Sequence, residues 1–260
     1  HTKQGIALQD LLQAINQADV TVLGEIHDNP QHHVVRGEWL AMLSRTNSVV
    51  AEHLTAPHGV IWQHGLLTDL QATGFDDKGW QWPVHQPLFA RIQALGWPVW
   101  GGNLSKEDSK SIFKTKGESA SPGLKALLAS AALDAVSQQD LRREIDEGHC
   151  GALPAQMFEG MVAVQRARDA SMAQVAMQHR PAVVLAGNGH AWKHLGVPQI
   201  IRANRPDLNV VSVLMMEHAP FADDLEKNAW LDGLAGKADV VWVGSPISRP
   251  DPCLSFKTEK

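Results

Sequence analysis

Short apolar, β-branched runs recur along the chain, and each gives way to a cluster of Gly, Glu, His or Asn. They are Val20–Leu23, Val49–Ala51, Val99–Trp100, Val183–Ala186, Val210–Leu214 and Val240–Val243. None alternates strictly with polar residues, the mark of strands buried on both faces. Helical spacing fills the intervals. Val35, Trp39, Met42 and Leu43 share one face of a helix with Asn29 as its N-cap and Pro30 at its first position. Leu88, Ile92 and Leu95 repeat the spacing before Gly96. Strand and helix in alternation predict an α/β fold, a mostly parallel sheet flanked by helices.

From residue 104 to 180 the rhythm breaks. Leu124, Leu127, Leu128, Leu133, Val136, Leu141 and Ile145 lie at helical spacings. A further helix is predicted from roughly Pro154 to His179, carrying Met157, Met161, Val164, Arg168, Met172 and Val175, with the Met positions fitting a packing seam. The Lys-, Ser- and Gly-rich stretch Lys106–Pro122 reads as a solvated connection. The expected organisation is an α/β core of residues 1–103 and 152–260, interrupted by a small all-helical insertion at 104–151.

Composition narrows the classes. The chain has 260 residues, 44% hydrophobic and 20% charged, which suits one large globular domain and excludes wholesale disorder. A net charge of −5 argues against nucleic-acid binding by a basic surface. No apolar run approaches the ~18–20 residues that span a bilayer. The opening His1-Thr2-Lys3-Gln4 carries no basic, apolar leader. Cys150 and Cys253 are either bridged or two separate buried thiols; neither has the C-x-x-C partner of a thiolate zinc site. Thirteen His stand against no Tyr, so chemistry that needs a phenol must find another group.

In an open parallel sheet, ligands bind beyond the carboxyl ends of the strands. Three predicted strand ends carry metal-type ligands: Gly24-Glu25-Ile26-His27, Ala51-Glu52-His53 and Gly187-Asn188-Gly189-His190. Convergence of Glu25, His27, Glu52 and His190 gives a mixed nitrogen and oxygen set suited to a divalent metal or to acid–base work. Singly, each of these residues also reads as a helix cap or a satisfied loop residue. His32 and His33 are expected on a solvated face with Arg36 one turn away. His190 and His194 are four apart but lack the Glu of a zincin motif. His58, His64 and His85 lie among Trp62, Trp80 and Trp82, which either wall a flat apolar ligand or cap a core.

The segment Leu23–Pro30 with His32-His33 resembles the opening signature of ChaN-like haem-binding uptake proteins. The likeness continues through Gly148-His149-Cys150, Ala163–Ala173, Leu185–His190 with Gly196-Val197-Pro198, Ala238–Trp242 and Arg249-Pro250-Asp251-Pro252-Cys253. It implies a parallel sheet with a small helical domain, haem as ligand, and dimers enclosing paired haems. It also implies a lipid-anchored lipoprotein of the periplasm and outer membrane, with signal and anchor outside this sequence, working with other haem-uptake components. More distantly, the two Gly-x-x-His elements are similar to those of erythromycin esterases and Tiki-type metalloproteases. There the equivalents of Glu25, His27 and His190 are implicated in catalysis or metal binding.

Tyr is a haem ligand associated with the family, and this chain has none. The axial donor is then sought among His, with His149, His58, His64 and His85 as candidates, while Arg142, Arg143 and Arg166 are candidates for pairing with haem propionates. Two functions compete: a haem-binding module without turnover, and a metal-dependent hydrolase in which Glu25 or Glu52 is the general base for a water near His27 and His190. A third reading makes the rim carboxylates purely structural partners of His and Arg.

Overall fold

The computed structural model describes residues 5–251 and 253–254. In chain order its elements are α1 (Leu8–Gln17), β1 (Val20–Leu23), α2 (Pro30–Met42), β2 (Ser48–Thr55), α3 (Leu66–Ala72), α4 (Gln86–Leu95), β3 (Val99–Asn103), α5 (Lys106–Lys114), α6 (Pro122–Ser130), α7 (Ala135–Gly148), α8 (Phe158–Gln178), β4 (Ala182–Leu185), α9 (Asn188–Ala191), α10 (Val197–Asn204), β5 (Val210–Glu217), α11 (Asp224–Asp232) and β6 (Val240–Gly244). Each apolar run is a strand, and all pair in parallel in one sheet ordered β3-β2-β4-β1-β5-β6. Among the described residues no helix is long and apolar enough to cross a membrane.

Both faces of the sheet are covered, which is why its inner strands read as continuous apolar runs. On one face α1, α2 and α4 bring Leu11, Ile15, Trp39, Leu40, Leu88, Phe89 and Ile92 onto Leu23, Val49 and Leu185. On the other, α8 and α10 pack Ala170, Met172, Ala173, Ile200 and Ile201 onto Val20, Val22, Val50 and Val184. Helices α5 to α7 join this second layer: Ile112, Leu124 and Leu141 belong to the same buried cluster as the strands. Cys150, just after α7, is bonded to Cys253 in the tail. In the chain-entropy model, closing about 100 residues is worth roughly 4–5 kcal/mol.

This layering positions the site. Neighbouring β1 and β4 send their connections to opposite faces, β1 into α2 and β4 through α9 into α10. A crevice opens at the carboxyl end between two such strands, the switch point where ligands bind in open α/β sheets. Both Gly-x-x-His elements begin at this crevice. Gly24 is required there, because a Cβ would meet Asn188 Oδ1 at 2.2 Å and the Val213 carbonyl at 3.1 Å.

Candidate functional site

Helix α2 fixes the loop that presents the first motif. Asn29 caps it by accepting from the Gln31 N–H at 2.9 Å, and Pro30 occupies its first turn. His32 and His33, expected on a solvated face, are fully buried, as is Arg36. The inner side of this turn packs on a carboxylate rather than on aliphatic core, so its buried residues are polar. His32 Nδ1 accepts from the Ile26 N–H at 3.0 Å, and His33 Nε2–H donates to the His27 carbonyl at 2.8 Å. That tautomer leaves His33 Nδ1 to accept from Arg36 at 2.9 Å. Both rings are neutral: desolvation lowers His32 to about 4 and His33 to about 3.

Glu25 is the hub. One oxygen accepts from His27 Nδ1–H at 2.6 Å and His53 Nε2–H at 3.1 Å, with His85 Nε2 at 3.5 Å. Its other oxygen is paired with the Arg36 guanidinium, with His33 at 3.7 Å. The Glu25 side chain is sealed from solvent, whereas that of His27 is 43% exposed. Trp80 lies against both His27 and His53, at ring separations of 5.0 and 4.5 Å. Desolvation holds the His53 and His85 imidazoles far below their ordinary range and brings Arg36 down to about 9.

A second cluster adjoins the first. Strand β2 extends to Thr55, beyond the three-residue run that the sequence suggested, while its pairing with β4 stops at Ala51. Glu52 and His53 therefore project past the end of β4, and adjacent strand residues point to opposite faces. His53 joins Glu25, and Glu52 joins His190. Glu52 accepts from the Gly187 N–H at 2.8 Å and from His190 Nε2 at 3.3 Å, and His190 Nδ1–H donates to Asp169 at 2.6 Å. Burial alone would lower His190, but the two flanking carboxylates raise it to about 10, so it is an imidazolium with both nitrogens occupied. Burial raises Asp169, and the charge of His190 overcomes the same effect to hold Glu52 low. His27 Nε2, 4.0 Å from Glu52, links the clusters.

Thus Glu25, His27, Glu52 and His190 meet in one hollow, but the tightest set of ligand atoms differs from the one read in the sequence. Glu25, His27, His53 and His85 offer atoms all within 4.8 Å of one another. His85, a candidate axial donor in the Trp-rich segment, is buried in the Glu25 shell. His58 and His64 are exposed in the segment after β2, with His64 against Asp69 at 3.3 Å. His149 follows α7, and its Nδ1–H donates to the Ile145 carbonyl at 2.6 Å. Arg142 and Arg143 are exposed, and Arg143 pairs with Asp140 at 2.7 Å. Arg166 is buried, and its guanidinium donates to the Leu195 and Ala131 carbonyls and to Gln199, a structural joint between α8 and its neighbours. Asp169, Arg36 and His33 escaped the sequence reading.

A family model described as haem-binding uptake, Tiki superfamily, ChaN matches residues 11–201. The chain belongs to this family. A solved structure of Campylobacter jejuni ChaN, described by its cofacial haem binding, aligns with a TM-score of 0.68 at 23% identity, over 86% of this chain and 90% of that one. The two share the fold. A Bacillus cereus protein of solved structure aligns with a TM-score of 0.43 at 14% identity, over 82% of this chain and 70% of that one. No curated protein sequence matches. In this ChaN-family chain the absence of Tyr leaves His, Met and Cys as classes of iron donor, and the disulfide removes both Cys.

Proposed function

We propose that this protein binds haem at the mouth of the hollow, with His27 as the axial donor to iron. Haem is the ligand named for the family, and one observation supports this residue. Of the hollow's imidazoles only His27 reaches solvent substantially, its side chain 43% exposed against 6% or less for His33, His53, His85 and His190. Donation of Nδ1–H to Glu25 leaves Nε2 as the lone-pair nitrogen, and a carboxylate behind an imidazole raises its basicity as a ligand. Trp80 supplies an apolar wall beside it for a flat ring. Bound haem supplies an iron centre whose reactivity follows its axial ligand and surroundings.

Hemin titrated into the wild-type protein is expected to give a saturable Soret shift at micromolar concentration, and His27→Ala to lose it. A wild-type spectrum unchanged from free hemin contradicts the reading. Gly187→Ala provides a gentler test, since a Cβ there would lie 2.7 Å from His27 Nε2. It is expected to weaken hemin binding severalfold in the same titration while shifting stability by less than about 1 kcal/mol, because Gly187 has φ −60°, which Ala adopts freely.

The reading extends to a periplasmic, outer-membrane lipoprotein acting with other haem-uptake components and dimerising when haem-bound. The Cys150–Cys253 bridge supports an oxidising compartment. Sedimentation with and without hemin tests the dimer. A second reading, a metal-dependent hydrolase, draws on the Glu25, His27, His53 and His85 set and on buried nitrogens without partners at His53 and His85. The Arg36 cation on Glu25 weighs against a divalent ion there. Stoichiometric zinc or manganese in the purified protein, with ester hydrolysis abolished in Glu25→Gln, would favour it.

A further inference from the structure

Next to the hollow, at the ends of β2 and β3, a cavity of about 440 Å³ is lined in part by helix α5 and by Arg168 of α8. His53 and Trp80, which lie beside His27, also line it, so the cavity and the Glu25 cluster share these two rings. The charged residues on its wall are Glu52, Asp76, Lys106, Lys110 and Arg168. Both carboxylates are already engaged. Glu52 is held by Gly187 and His190, and Asp76 by Lys106 at 2.7 Å and the Gly79 N–H at 3.0 Å. Lys110 and Arg168 have no acidic partner among the described residues, so the unneutralised charge of the wall is positive.

Two donors on this wall are also stranded. Arg168 Nε and Ser109 Oγ are buried and have no hydrogen-bond partner among the described residues. Buried donors are nearly always satisfied, and each such exception calls for an acceptor that completes it. A guanidinium, a hydroxyl and an ammonium lining one space are the donor types of an oxyanion site, and carboxylates form charge-assisted bonds to such groups. No described residue supplies that acceptor.

We propose that this cavity is a carboxylate subsite, in which Arg168, Ser109 and Lys110 receive an acidic arm of the ligand whose ring lies against Trp80 and His27. The proposal rests on the haem reading only for the identity of the arm, which is then a propionate.

The test compares hemin with its dimethyl ester, which keeps the ring and iron but removes both carboxylates. Binding is measured for wild type, Arg168→Gln, Ser109→Ala and, as a control, Arg205→Gln, whose guanidinium is exposed and paired with Asp207. A parallel series follows the thermal midpoint of the haem-free proteins with millimolar glutarate at constant ionic strength. Wild type is expected to prefer hemin over the ester by about tenfold, the scale of one charged hydrogen bond. Arg168→Gln should lose most of that preference while binding the ester as wild type does, Ser109→Ala should lose part of it, and Arg205→Gln none. Glutarate should stabilise wild type and not Arg168→Gln. If Arg168→Gln handles hemin, ester and glutarate as wild type does, the subsite is wrong. If wild type ignores both porphyrins while glutarate still stabilises it through Arg168, the haem reading falls and the subsite stands. Indifference to all three probes overturns both.

Discussion

Glu25→Gln is expected to destabilise the protein by about 3–5 kcal/mol, the cost of stranding one partner of a buried ion pair. The substitution preserves shape and removes only the charge. It leaves Arg36, fully buried and hydrogen-bonded to His33, without its counter-ion, and it turns an acceptor for His27 and His53 into a group that is half donor. Urea unfolding of the haem-free protein measures the loss. The double variant Glu25→Gln/Arg36→Met should recover part of it, because no charge is then stranded. Hemin affinity is expected to fall as well, by about 10–100-fold, since the carboxylate behind His27 sets the ring's tautomer and basicity. A purely structural role for Glu25 predicts the stability loss with hemin affinity intact in whatever fraction remains folded. A stability change below about 1 kcal/mol would contradict the buried pair itself.

Acidification is expected to unfold the protein steeply between about pH 6 and pH 4.5. Burial lowers His32 to about 4, His33 to about 3, and His53 and His85 well below the ordinary 6.5. In the unfolded chain all four take up protons as pH falls through about 6.5, while the folded protein resists. The unfolded state then binds more protons, and stability falls with pH by about 1.4 kcal/mol per group per pH unit. Four groups approach 5–6 kcal/mol per unit, comparable to the whole stability of an ordinary domain. His190 has the opposite sign. Raised to about 10, it contributes stability that is complete below about 6.5 and lost as pH rises through 10, with a single proton involved. The stability curve should be steep on the acid side and shallow on the alkaline side. Chemical denaturation at half-unit pH intervals reads both slopes; a flat acid limb down to pH 4.5 would show that these imidazoles are not buried neutral.

The strands were legible because a parallel sheet covered on both faces needs continuous apolar runs, and six of them stand out between polar turns. The Gly-x-x-His elements were legible because the ends of such strands are where ligands bind. Helix α2 was misread at His32 and His33 because an amphipathicity argument scores an imidazole as solvent-facing. That scoring fails where the buried partner is a carboxylate instead of an aliphatic core. The clue was present in the spacing of His32, His33 and Arg36, which puts all three on one helix side behind Glu25. Glu52 and His53 could not both be assigned to one cluster, since neighbours on a strand face opposite ways and β2 runs farther than its apolar run suggests. Asp169 sits in mid-helix on α8, 21 residues before His190, and nothing local distinguishes it from a solvated helix carboxylate. The Cys150–Cys253 bridge, left open by the sequence, depends on how the tail returns across the fold.

In the proposed complex the two motif loops form one site whose outward imidazole, His27, ligates haem iron. Electron paramagnetic resonance of the ferric-haem complex, recorded for wild type, His27→Ala and His149→Ala, tests it most directly. A histidine-ligated spectrum is expected that survives in His149→Ala and disappears in His27→Ala while that variant keeps its fold by circular dichroism. A histidine-ligated spectrum retained in His27→Ala would contradict it.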